Sequence, residues 1–234
     1  MFIRFMLCFS VFALFTSIVQ AGSKDDPIVV GVEIDRLEIR DPGSDDGLYF
    51  EGEASIGRDA YEFIVKAEIE REHGLTDESE IQVLYSVPIS TYWDMYAGIR
   101  KDFKPDPSRA WGVLAIDGLA PGFIEVDASV FLGESGRTAL RIEAEHEIAL
   151  TDYWTLTPEI EVYVSGQNDE VMEMGSGLSE IEASLLLSYE KHPKFVPYIG
   201  VNWTKVYGES ADYAEEEGED DSETVFVVGV SAAF

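Results

Sequence analysis

Apolar residues recur at every second position in segment after segment, and this period constrains the fold of the chain more than any other feature. Phe63, Val65, Ala67 and Ile69 interleave with Glu62, Lys66, Glu68 and Glu70. Ile124, Val126, Ala128 and Val130 do the same with Glu125, Asp127 and Ser129, and Ile160, Val162 and Val164 with Glu159 and Glu161. A period of two describes a strand with one apolar and one polar face. The segments are long enough for tilted transmembrane strands of about 9–11 residues, whereas strands of soluble proteins average about 5–6. No stretch after residue 21 approaches the run of about 20 apolar residues that a spanning helix needs.

Twelve such segments are expected, at about 28–40, 48–56, 61–71, 80–87, 92–102, 109–117, 122–132, 138–149, 154–164, 179–190, 196–207 and 223–234. An even number suits a bacterial up-and-down barrel. The connections alternate as such a barrel requires. Gly57–Ala60, Pro88–Thr91, Gly118–Pro121, Leu150–Tyr153 and Lys191–Phe195 are short, as periplasmic turns are. Asp41–Gly47, Glu72–Ser79, Phe103–Ser108, Gly133–Arg137, Ser165–Leu178 and Gly208–Ser222 are longer on the whole, as external loops are. Tyr92, Trp93, Trp111, Phe123, Tyr153, Trp154, Phe195, Tyr198, Tyr207 and Phe226 cluster near strand ends, where rings with a polar tip favour the membrane interface. A terminal Phe234 completes the pattern. The expected fold is therefore an all-β transmembrane antiparallel barrel, occupying residues 22–234. A secreted soluble sandwich is the rival.

Met1–Ala21 reads as a signal peptide, with Arg4 ahead of an apolar run and small residues at Val19 and Ala21 before the cleavage point. Cys8 lies inside that run, which argues against a lipid anchor, and its removal leaves no thiol. The expected destination is the bacterial outer membrane, with lipid as a partner.

The chain holds 46 acidic against 16 basic residues, a net charge of −30. This excludes nucleic acid as a partner, because phosphate neutralisation needs the opposite sign. The polar strand face carries Glu68, Glu70, Asp94, Glu125, Asp127, Glu143, Glu145, Glu159, Glu161 and Glu182. Lys66, Arg100, Lys101 and Arg141 are too few to neutralise them, so the lumen is expected to be net negative and to favour cations. The alternative is a salt-bridged interior that conducts nothing. The run Glu209–Asp221 reads as a solvated, mobile acidic loop or as a funnel that concentrates cations. It lacks the ligand spacing of an EF-hand. Met172 and Met174 offer thioethers of the kind that bind Cu(I).

No GxSxG, HExxH or P-loop motif is present. His73, His146 and His192 are scattered, in an external loop, on the lipid face or its rim, and in a periplasmic turn. No catalysis is expected, an outer-membrane hydrolase being the enzymatic alternative.

Several stretches resemble the copper resistance protein B (CopB) family of outer-membrane proteins. They include Tyr92-Trp93-Asp94, Ala97-Gly98-Ile99-Arg100, Gly118-Leu119-Ala120-Pro121, Glu125-Val126-Asp127-Ala128 and Arg141-Ile142-Glu143-Ala144-Glu145. Gly175-Ser176-Gly177-Leu178-Ser179 and Val196-Pro197-Tyr198-Ile199-Gly200-Val201-Asn202-Trp203 follow in the same order. The resemblance implies copper as the ligand, a part in copper homeostasis or resistance, and a periplasmic copper carrier as partner. Many members carry a Met- and His-rich segment after the signal peptide, whereas Gly22–Val30 here has neither residue. The candidate metal-binding residues are Met172, Met174, Glu143, Glu145 and Asp127. A narrow cation-selective channel without a copper role is the alternative function.

Overall fold

The computed structural model describes residues 26–41, 47–72 and 74–234. The expected signal peptide and His73 lie outside them. Twelve long strands form a single antiparallel wall: β1 (Val29–Arg40), β2 (Gly47–Arg58), β3 (Tyr61–Glu72), β4 (Leu75–Pro88), β5 (Trp93–Lys104) and β6 (Arg109–Ala120), then β7 (Ile124–Gly133), β8 (Thr138–Glu145), β10 (Trp154–Ser165), β11 (Gly177–Tyr189), β12 (Val196–Val206) and β13 (Ser222–Ala233). The two-residue β9 (Ile148–Ala149) continues β8 beyond a break, and both pair with β10. Each strand pairs with its sequence neighbour, and β1 closes the wall on β13. The fold is therefore a closed twelve-stranded up-and-down barrel. No helix among the described residues is long and apolar enough to cross a membrane.

Outward positions carry the apolar set. Val65, Val83, Ile99, Leu114, Val130, Ile160, Leu185 and Ile199 are all exposed, as a lipid-facing belt must be. Inward positions hold the polar set and a compact apolar cluster on one wall, formed by Ile64, Leu84, Val113, Ala115, Phe131 and Ala139. The long connections 166–176 and 207–221 lie at the end opposite the start of β1 and the end of β13, which marks that end as external.

Four expectations need correction. β4 begins at Leu75 rather than residue 80, because charged and hydroxyl side chains are tolerated in a strand once it rises above the hydrocarbon. Lys101 points outward, level with Ile81, and its Nζ donates to Ser108 Oγ at 3.0 Å, so it neutralises no lumen acid. Trp111 and Tyr198 face the lumen instead of the interface, because each ring finds a carboxylate partner inside. The acidic run is not a free loop: Glu209–Glu217 is helix α1, ended by the left-handed Gly218 with Glu219 N–H donating to Ala214 O at 2.9 Å. His146 sits at the break between β8 and β9, its Nδ1 2.8 Å from Phe123 O, at the periplasmic rim.

Val83→Arg, which places a cation on the lipid face near mid-strand, is expected to cost about 2–4 kcal/mol. Denaturant unfolding of the barrel in lipid vesicles measures it.

Candidate functional site

The lumen is the site, and alternation builds it: every second residue of twelve strands is delivered to one enclosed space. Its external half is a cavity of about 550 Å³, and a smaller chamber of about 50 Å³ lies below. Glu51, Glu68, Glu80, Arg141 and Glu143 line both, so they form the waist between them.

Arginines cross this waist. Arg36 on β1 is paired with Glu159 on β10 and lies 3.9 Å from Glu51. Arg141 on β8 reaches Glu80 at 3.5 Å, Glu161 at 3.4 Å and Glu68 at 4.0 Å. Arg100 on β5 binds Glu80 at 2.7 Å and Asp102 at 2.6 Å, and Trp111 Nε1 donates to Asp102 at 2.7 Å. Arg100 and Arg141 also lie over the Phe131 ring, at 4.8 and 5.7 Å from its centroid, close enough for the ring face to attract both cations. Higher up, Arg40 pairs with Glu70 at 2.5 Å. Glu38, only 2 % exposed, accepts from Tyr198 Oη at 2.9 Å. Tyr198 fits because its register partner is Gly229, where an added Cβ would come within 2.5 Å of the ring. Such buried pairs gain little net stability but lose heavily when one partner is removed.

The acids follow a geometry that only register displays. Asp94 on β5 pairs with Asp117 on β6, Asp117 with Asp127 on β7, and Asp127 with Glu143 on β8. Glu143 pairs with Glu161 on β10, Glu161 with Glu182 on β11, Glu182 with Thr204 on β12, and Thr204 with Glu223 on β13. Asp94 lies at the periplasmic start of its strand and Glu223 at the external start of its own. Because barrel strands are tilted, the row climbs the wall from one mouth to the other. A second row, Glu125–Glu145–Glu159, runs beside it. Like charges directly opposed across strands destabilise a sheet, and no arginine stands in the first row.

The expected ligands fall into separate places. Asp127 and Glu143 are neighbours in the first row, and Glu145 belongs to the second. Met172 and Met174 line the external cavity together. Their loop is held in place by Asp169, which exchanges backbone hydrogen bonds with Met174 and whose carboxylate lies 3.0 Å from Arg109 and 2.9 Å from Arg137. Helix α1 packs beside this loop: Ser210 Oγ accepts from Gly175 N–H at 2.8 Å, and Asn168 Nδ2 donates to Glu209. At the same mouth Lys205 Nζ donates to Asp221 at 2.6 Å, which holds the Asp221 carboxyl below its usual range. Among the described residues no three His, Cys, Asp or Glu side chains converge as a metal site.

The sequence reading missed Arg36 and Arg40 as lumen bases. The signal was present: the apolar phase runs through Val30, Val32 and Ile34, then slips to Leu37 and Ile39. The slip is a β-bulge between Ile34 and Arg36, which turns the later half of β1 by one residue. Arg36→Ala leaves Glu159 and Glu51 buried without their cation and is expected to cost about 3–5 kcal/mol. Adding Glu159→Gln is expected to recover part of that loss, as a double-mutant cycle of unfolding free energies shows.

Comparison with known proteins agrees with this architecture. Over 87% of this chain and 99% of theirs, the NanC porin superposes with a TM-score of 0.55 at 15% identity, and the KdgM porin with 0.51 at 12%. These likenesses concern the fold alone. In sequence, the chain is 39% identical over 200 residues to a copper resistance protein B homolog of Pseudomonas syringae pv. tomato, covering 86% of this chain and 68% of the relative. It is 35% identical over 210 residues to copper resistance protein B of Escherichia coli, covering 90% and 71%. The family model described as copper resistance protein B precursor (CopB) matches residues 28–234. The chain is thus a bacterial outer-membrane barrel and belongs to the copper resistance protein B (CopB) family.

Proposed function

We propose that this barrel serves copper resistance by binding copper ions at its external mouth and holding cations in its acidic lumen, without catalysis. The observation that carries this reading is the placement of Met172 and Met174 on the wall of the same cavity that the lumen carboxylates line. Thioethers supply the soft donors that favour Cu(I), and carboxylates favour harder ions. The acidic rim raises the local cation concentration before any ligand bond forms. Release towards a periplasmic copper carrier is part of the proposal, as is removal of Met1–Ala21 on export.

A cation-selective channel is the second reading, favoured by the carboxylate row from mouth to mouth. The arginine bridges at the waist weigh against free conduction, since Arg36–Glu159 and Arg141–Glu80 span the lumen between distant strands and place cationic groups in the path.

Two measurements separate these readings. Calorimetry on the refolded barrel in detergent should give saturable Cu(I) binding, and the double variant Met172→Leu/Met174→Leu should weaken it at least about tenfold, or 1.4 kcal/mol, with Zn(II) and Ca(II) unaffected. Equal, weak binding of all these ions would overturn the copper reading. Single-channel recording should show little current in the native barrel and a larger, K⁺-selective current in Arg36→Ala. A native barrel that conducts freely favours the channel.

A further inference from the structure

The wall formed by β11 and β12 holds two polar side chains that the ion-pair network does not use. Ser184 and Asn202 are register partners on these strands, 7 % and 3 % exposed. Asn202 Nδ2 donates to Glu182 Oε1 at 2.5 Å, which leaves Oδ1 as the amide's remaining polar atom. Among the described residues neither Asn202 Oδ1 nor Ser184 Oγ has a hydrogen-bond partner. Buried acceptors left unpaired are rare, and each one calls for a partner.

The surroundings define the chemistry of that partner. Glu182 stands level with Glu161 on the neighbouring β10, and Ser184 with Glu159, which is already paired with Arg36. An anion is repelled here. No thioether, thiol or imidazole lies in this stretch of the wall, since residues 180–186 and 200–206 contain none. The available donors are one carboxylate, one amide oxygen and one hydroxyl, all hard oxygens of neighbouring residues on one pair of strands. Hard divalent cations take such sets and fill their remaining positions with water.

We infer that Glu182, Asn202 and Ser184 form a binding site for a hard divalent cation of the Ca²⁺ or Mg²⁺ class, separate from the methionine pair at the mouth. Asn202 supplies Oδ1 while its amide nitrogen fixes Glu182, and Glu182 supplies the charge. A cation there also offsets the repulsion between Glu182 and Glu161. The inference rests on the lumen's being a cation compartment and needs no role for copper.

The test is a Mn²⁺ titration of the full refolded barrel in detergent, read by electron paramagnetic resonance, with Ca²⁺ as competitor. One saturable class of Mn²⁺, displaced by Ca²⁺, is expected. Asn202→Ala and Ser184→Ala leave the charge unchanged and should each lower affinity about tenfold, in samples whose heat-modifiable gel mobility shows a closed barrel. Asn202→Asp keeps an oxygen in place and should retain binding. Glu216→Gln, which removes a charge from α1, should leave affinity unaltered, as should Met172→Leu/Met174→Leu. The inference is overturned if Asn202→Ala and Ser184→Ala both bind Mn²⁺ as the native barrel does, if Asn202→Asp loses binding, or if Glu216→Gln weakens it equally. Loss of Cu(I) binding with Mn²⁺ binding intact would count against the copper reading alone.

Discussion

A backbone amide in hydrocarbon has no water to turn to, and the whole structure answers to that need. A sheet meets it only by closing, so that the last strand finds the first. Closure separates two environments along every strand. One face must be apolar because lipid surrounds it, and the other is freed from that demand. Val83 and Gln82 are adjacent in sequence, yet one faces acyl chains and the other hydrogen-bonds to Glu80 at 2.5 Å in the lumen. The polarity of the interior follows from closure instead of opposing it.

That freedom is used unevenly. Arginines concentrate at the waist and the external rim, where Arg36 and Arg141 meet carboxylates from distant strands and Arg100 binds Glu80 of the neighbouring strand. The Arg36 and Arg141 bridges brace the barrel across its width, a direction in which backbone hydrogen bonds supply nothing. Carboxylates, by contrast, follow the tilt of the register. Stacking acids in the order Asp127, Glu143, Glu161 and Glu182 costs stability, so a fold selected for rigidity alone would have interleaved bases.

The wall was legible from the amino-acid order because lipid enforces alternation so strictly, and strand edges such as Thr138 and Trp154 coincide with their expected positions. Leu75–Ser79 escaped because the apolar constraint lapses above the membrane. Arg36 escaped because one bulge inverts the phase, and the inversion shows only when Ile34 and Leu37 are compared directly. Helix α1 was hidden by its charge, although Gly208 and Gly218 bracket a stretch rich in Ala and Glu, both good helix formers. The carboxylate row was beyond sequence reading in principle. It depends on which residues of neighbouring strands stand level, and that stagger belongs to the closed barrel. For the same reason Asn202 and Ser184 look like ordinary strand residues until their register partners are known.

The pairing of β1 with β13 joins the two ends of the wall, Glu33 opposite Ala233 and Arg40 opposite Val227. Without β13 the wall cannot seal on this pairing, and the edge of β1 is left unsatisfied. Truncation of even the final strand would leave not a smaller barrel but an open sheet, with β1 and β12 both seeking a partner in a solvent that offers none.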